Sequence, residues 1–190
     1  MNLPNCLTVL RIFLTFFFMA ALFASGLASK LIAAFIFLLA SLTDLFDGYY
    51  ARKYNLITDF GKLMDPIADK FLVLAAFFGF AQLDIIAWWM FGLISAREIL
   101  ITALRLLAMR RGKVLAAEIS GKVKTILQMV TILVILFFVV ARESFIQGNM
   151  PQEAVWLIVI TVLMLVIVGL TVYSGISFLW SNRKINYTGS

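Results

Sequence analysis

The feature that most constrains this chain is a series of apolar runs, each long enough to cross a bilayer, divided by short polar stretches. A spanning helix takes about 20 mostly apolar residues. Backbone in lipid must satisfy its own hydrogen bonds, so such runs fold as helices. Six are placed, at about Leu7–Leu27, Leu31–Tyr50, from the polar stretch Ala51–Lys62 to near Leu83, Ile85–Met109, Ile119–Val140 and Ala154–Leu179. Asp84 marks the turn between the third and fourth. The expected fold class is all-α: an integral membrane protein with six transmembrane helices in one domain, residues 1–190. The chain is 63% hydrophobic, where a soluble domain is nearer half. The first run lacks a basic flank before it and reads as a retained helix rather than a cleaved leader.

Orientation follows from the loop cations. Arg52, Lys53, Lys62, Arg110, Arg111, Lys113, Arg183 and Lys184 fall on one side, and only Lys30 and Arg142 on the other. The basic side is read as cytoplasmic, which places both termini there. The net charge of +6 comes from residues between apolar runs, so it implies anionic lipid and no nucleic acid. Trp88, Trp89, Trp156 and Trp180 lie near the expected helix ends, as an aromatic belt does.

Histidine is absent, which excludes imidazole-based zinc sites and histidine acid–base catalysis. The single cysteine, Cys6, excludes an intrachain disulfide. A general base must therefore be a carboxylate, Lys, Tyr or Cys. The carboxylates are placed unusually. Asp44, Asp47, Asp65 and Asp69 fall within 26 residues, inside or beside apolar runs, where ionisable groups are costly and usually functional. Asp44 and Asp47 share a helix face with Gly48 and Ala51, and Gly61, Asp65 and Asp69 form a second stripe. The second and third helices are expected to pack antiparallel with these stripes facing. Four close carboxylates need compensation. Some are protonated, or they bind hard divalent cations, Mg²⁺ or Mn²⁺, or they form a hydrated cluster paired with Arg52 and Lys62. Gly48 and Gly61 either admit a ligand close to the backbone or pack helices together. Pro66 is expected in the first turn of its helix.

At these residues the chain resembles the CDP-alcohol phosphotransferases. Asp44, Asp47, Gly48, Ala51, Arg52, Gly61, Asp65 and Asp69 match every one of the eight fixed positions of that family's signature, in order and spacing. The resemblance implies that Asp44, Asp47, Asp65 and Asp69 would hold two divalent ions bridging a CDP diphosphate. Asp69 would be the catalytic base towards the acceptor hydroxyl. Asp44, Gly48, Ala51, Arg52 and Gly61 would line the CDP site. Asn5, Thr8 and Arg11 read as nucleotide-side or packing residues.

The opening Asn2–Arg11 segment is similar to the branch of the family whose acceptor is glycerol 3-phosphate. So are Ala96-Arg97-Glu98 with Thr102, Leu104 and Arg105, and Gly121 to Thr125. Ala103 departs from that branch, where a glycine is expected. The resemblance implies transfer of phosphatidyl from CDP-diacylglycerol to glycerol 3-phosphate by a homodimer in the bacterial inner membrane, with its active site facing the cytoplasm. Serine, an inositol phosphate or phosphatidylglycerol are the alternative acceptors, and divalent-cation transport is the alternative outside this chemistry. A phosphorylated acceptor needs cations, and Arg105, Lys122, Arg97 and Lys124 are the candidates. Snorkelling to headgroups is the other reading of these side chains, and Arg97 has a further one as the structural partner of an Asp or Glu.

Overall fold

The computed structural model describes the backbone of residues 3–54, 59–110, 119–146 and 150–182, and side chains within 8–43, 67–68, 70–109, 121, 123–145 and 151–182. Among these residues the chain is all-helical. Its elements are α1 (Leu3–Phe23), α2 (Leu27–Tyr54), α3 (Asp59–Gln82), α4 (Trp88–Arg110), α5 (Ile119–Ala141) and α6 (Met150–Ser181), with a π-helical turn at Arg142–Ile146 between α5 and α6.

The helix ends differ from those expected where polar residues do the terminating. α1 stops at Phe23, and Gly26, at a φ of 93°, turns the chain into α2. That backbone angle favours glycine because a Cβ would clash. Lys30 then reaches back to donate to the carbonyls of Leu22 at 2.7 Å and Ala24 at 2.9 Å, capping α1. The α3 terminus is a Schellman motif. Asp84 takes a φ of 55°, its N–H donates to Ala81, and the Ile85 N–H donates to Phe80 at 3.0 Å. The turn read at Asp84 is therefore present, and α4 starts at Trp88 rather than Ile85.

At the other end, α2 and α3 run through most of the polar stretch read as a connection, leaving only 55–58 outside the described residues. Hydropathy locates a bilayer crossing, whereas a helix continues into water as long as its backbone bonds are made. Pro66 consequently falls inside α3, not in its first turn, where it removes one backbone donor.

The core is built from aligned stripes: Ala33, Phe37 and Ala40 on α2; Leu72, Val73, Ala76, Phe77 and Phe80 on α3; Ile132, Ile135 and Leu136 on α5. α1 packs against both α2 and α3, which touch one another little among the described residues. The antiparallel α2–α3 pair expected from the sequence is thus not the main contact there. Phe18 meets Phe37 of α2 with centroids 5.5 Å apart, and Phe16 meets Phe71 of α3 at 5.8 Å. Gly79 admits α1 closely, since a Cβ there would lie 2.5 Å from Leu22 Cδ2.

The outer surface is apolar. Phe13, Phe16, Phe17, Phe35, Ile126, Val155, Ile158 and Ile176 are exposed, while Arg11, Thr15, Glu98, Lys124 and Gln128 are buried. Val123–Phe145 and Pro151–Ser181 are long and apolar enough to cross a membrane. Shorter apolar segments occupy Thr8–Phe23, Leu27–Thr43 and Lys70–Gln82. An apolar exterior with the buried charges held among the helices is the arrangement of a membrane protein, because lipid solvates the outside and the costly polar groups must pair within. Trp88 and Trp89 are exposed at the start of α4, as an interfacial belt requires. Trp156 instead packs between α5 and α6, 5.7 Å from Phe137 and 6.1 Å from Phe138.

Candidate active site

The carboxylate stripes sit on helical backbone. Asp44, Asp47, Gly48, Ala51 and Arg52 lie on the C-terminal turns of α2, and Gly61, Asp65 and Asp69 on the N-terminal half of α3. Their side chains, like those of Asn5 and Lys122, lie outside the described residues. The helical spacing that puts each set on one face therefore holds at the level of the backbone.

α1 contributes a buried polar face. Thr8, Arg11 and Thr15, at i, i+3 and i+7, are each about 1% exposed. The Thr15 hydroxyl donates to the Arg11 carbonyl at 2.8 Å. That bond satisfies the buried hydroxyl within its own helix.

The predicted acceptor cations divide by environment. Arg105 is exposed, and its guanidinium stacks over Phe178 of α6 at 5.4 Å from the ring centroid. Arg97 is half-buried and forks. One terminal nitrogen meets Glu98 Oε1 at 3.3 Å, and the other donates to Ser174 Oγ of α6 at 3.0 Å. Gly175 packs beside it, 3.4 Å from Arg97 Cγ to where a Cβ would stand, an ordinary van der Waals distance. Lys124, on α5, is buried and bonded to Glu98 Oε1. Arg97 and Arg105 thus both reach from α4 to α6, while Lys124 reaches from α5 to α4.

Sequence reasoning assigned no role to two members of this cluster. Glu98 is only 1% exposed, and its second oxygen faces Lys70 Nζ of α3 at 3.6 Å. Lys70 directly follows Asp69 along α3. The signal was available, since a glutamate inside an apolar run is as costly as the aspartates. Its partners Lys70 and Lys124 lie 28 and 26 residues away, so spacing alone did not reveal them. Beside this cluster an apolar groove of about 380 Å³ opens between α3 and α4, lined by Ile67, Phe71, Leu74, Ile99 and Leu106 with Lys70 and Glu98 among its walls. Chemically, the arrangement offers cations for an anionic ligand next to helices bearing carboxylates, with apolar surface alongside.

An apolar groove beside paired cations and helix-borne carboxylates suits an enzyme that handles a phosphate-bearing lipid. The chain belongs to the CDP-alcohol phosphatidyltransferase family, whose model matches residues 1–176. The family generally uses divalent metal ions. The chain is 38% identical over 193 residues to the CDP-diacylglycerol–glycerol-3-phosphate 3-phosphatidyltransferase of Bacillus subtilis, covering 95% of each chain. It is 35% identical over 185 residues to the protein of the same name from Rickettsia felis, covering 96% of each. A probable phosphatidylglycerophosphate synthase of Mycobacterium tuberculosis is 45% identical over 134 residues, 69% of this chain and 64% of the relative.

Proposed function

We propose that this enzyme transfers the phosphatidyl group of CDP-diacylglycerol to glycerol 3-phosphate, yielding phosphatidylglycerol phosphate and CMP. The observation that carries the reading is the similarity to the Bacillus subtilis transferase along 95% of both chains, which takes in the acceptor-side helices as well as the signature.

In this reading Asp69 accepts the proton of the glycerol hydroxyl. The freed oxygen attacks the phosphorus bearing diacylglycerol, forming the new P–O bond as the bond to CMP breaks. Arg97, Arg105, Lys122 and Lys124 hold the acceptor phosphate, while Arg52, Gly48, Ala51, Gly61, Asn5 and Thr8 receive the nucleotide. Asp44, Asp47, Asp65 and Asp69 form an all-oxygen donor set, which fits Mg²⁺ or Mn²⁺ and not a soft metal. Two such ions, when bound, would neutralise diphosphate charge. Direct displacement is preferred to a covalent enzyme intermediate, because the sequence holds no histidine to activate a Ser or Cys nucleophile.

The wider reading is a single domain over residues 1–190, six spans with both termini and the active site on the cytoplasmic side of the bacterial inner membrane, and a homodimer. The loop cations support the orientation, and the family resemblance supports the dimer.

The test is CMP release by detergent-purified protein given CDP-diacylglycerol and Mg²⁺, with glycerol 3-phosphate, serine, inositol phosphate or phosphatidylglycerol offered separately. Release is expected with glycerol 3-phosphate. Asp69→Asn should lower kcat by about 10³, the scale of general-base catalysis, without loss of fold. Release with a different acceptor alone overturns the acceptor assignment. Cation flux in vesicles without any CMP release overturns the enzymatic one.

A further inference from the structure

We propose that Glu98 is the positioning residue of the acceptor pocket, holding Lys70, Arg97 and Lys124 in one preset cluster for a phosphorylated acceptor. The inference rests on the acceptor assignment above and names the residue that organises that pocket without touching substrate.

The geometry carries it. Glu98 Oε1 takes Lys124 and Arg97, the latter at 3.3 Å, and Oε2 faces Lys70 at 3.6 Å. The cations come from α5, α4 and α3, and the second terminal nitrogen of Arg97 donates to Ser174 on α6. One carboxylate thereby fixes side chains from three helices, one of them next to Asp69 in sequence. Exposure sorts the members. Lys70 and Arg97 are 23% and 15% exposed, whereas Glu98 and Lys124 are each 1% exposed.

Stability alone does not account for such a cluster. Burying ions costs several kcal/mol each, and well-packed apolar residues often serve a core equally well or better. Binding does account for it. Long Lys and Arg side chains carry about 2 kcal/mol of rotamer entropy apiece, and holding them in place beforehand removes that cost from ligand capture.

The experiment is steady-state kinetics on the full-length protein in detergent, varying each substrate in turn, for the parent, Glu98→Gln and Glu98→Asp. For Glu98→Gln the KM for glycerol 3-phosphate should rise about tenfold, with the KM for CDP-diacylglycerol within about twofold of the parent. Glu98→Asp, which keeps the charge, should recover part of the loss. A carboxylate that merely ties helices together predicts lower thermal stability and kcat, with the acceptor KM unchanged. That outcome overturns the proposal. If Glu98→Gln does not fold, Glu98→Asp carries the test alone, since it keeps the charge and shortens the reach to Lys70 and Arg97. An acceptor KM raised about threefold then supports the proposal, and an unchanged one overturns it. Failure of the acceptor assignment is separately visible, because in that case the parent itself does not turn over glycerol 3-phosphate.

Discussion

The two halves of the helix bundle use polar side chains in opposite ways. In the half that carries the α1–α2, α3–α4 and α5–α6 turns, they complete helix ends. Lys30 caps α1, and Glu143 accepts the Gly26 N–H at 3.0 Å. Arg142 and Glu153 pair nearby at 2.8 Å. In the half with the C-terminal turns of α2 and the start of α3, Arg11, Glu98 and Lys124 are buried. The turn half spends its polarity on the backbone, and the opposite half spends it on a site. The contrast teaches that burial depth and partner type distinguish a functional charge from a structural one more clearly than charge itself.

Substitutions can break that contrast. Lys124→Met should have the largest effect, because it leaves a buried carboxylate short of its closest cation. A loss of about 3 kcal/mol is expected, at the low end for broken buried pairs since Lys70 and Arg97 remain beside Glu98. Denaturant unfolding in detergent measures this, and turnover should fall with it. Lys30→Met should cost about 1 kcal/mol through lost caps while kcat and both KM values stay at parent levels. A kinetic effect there would dissolve the division between the two halves. Arg142→Gln should be smallest, within about 0.5 kcal/mol, because its ion pair with Glu153 lies at the surface. A thermal scan that shows a loss comparable to Lys30→Met would mean this pair does more than decorate the turn.

Much of this contrast is legible in the sequence, and particular residues show where legibility stops. The apolar runs locate every helix, but the ends of α2 and α3 lie beyond the runs because backbone bonding does not stop at the lipid boundary. The i+3 and i+4 spacings of the aspartates are a local property, readable from helical period alone. The Glu98 cluster is not, since its cations come from α3 and α5 as well as from the adjacent Arg97. Similarly, no spacing rule connects Arg105 with Phe178 or Arg97 with Ser174.

The sequence by itself determined the helical membrane architecture, the family and the aspartate signature, because each depends on composition or on periodicity along one segment. Only the tertiary structure decided that α1 packs against both α2 and α3, that Glu98 joins cations from three helices, and that Trp156 packs inward while Trp88 and Trp89 face out. Those outcomes depend on which helix faces meet, and in a chain whose helices are apolar on nearly every side, the hydrophobic pattern does not specify the facing partner. Close approach at Gly79 and the pairing of a few buried charges do.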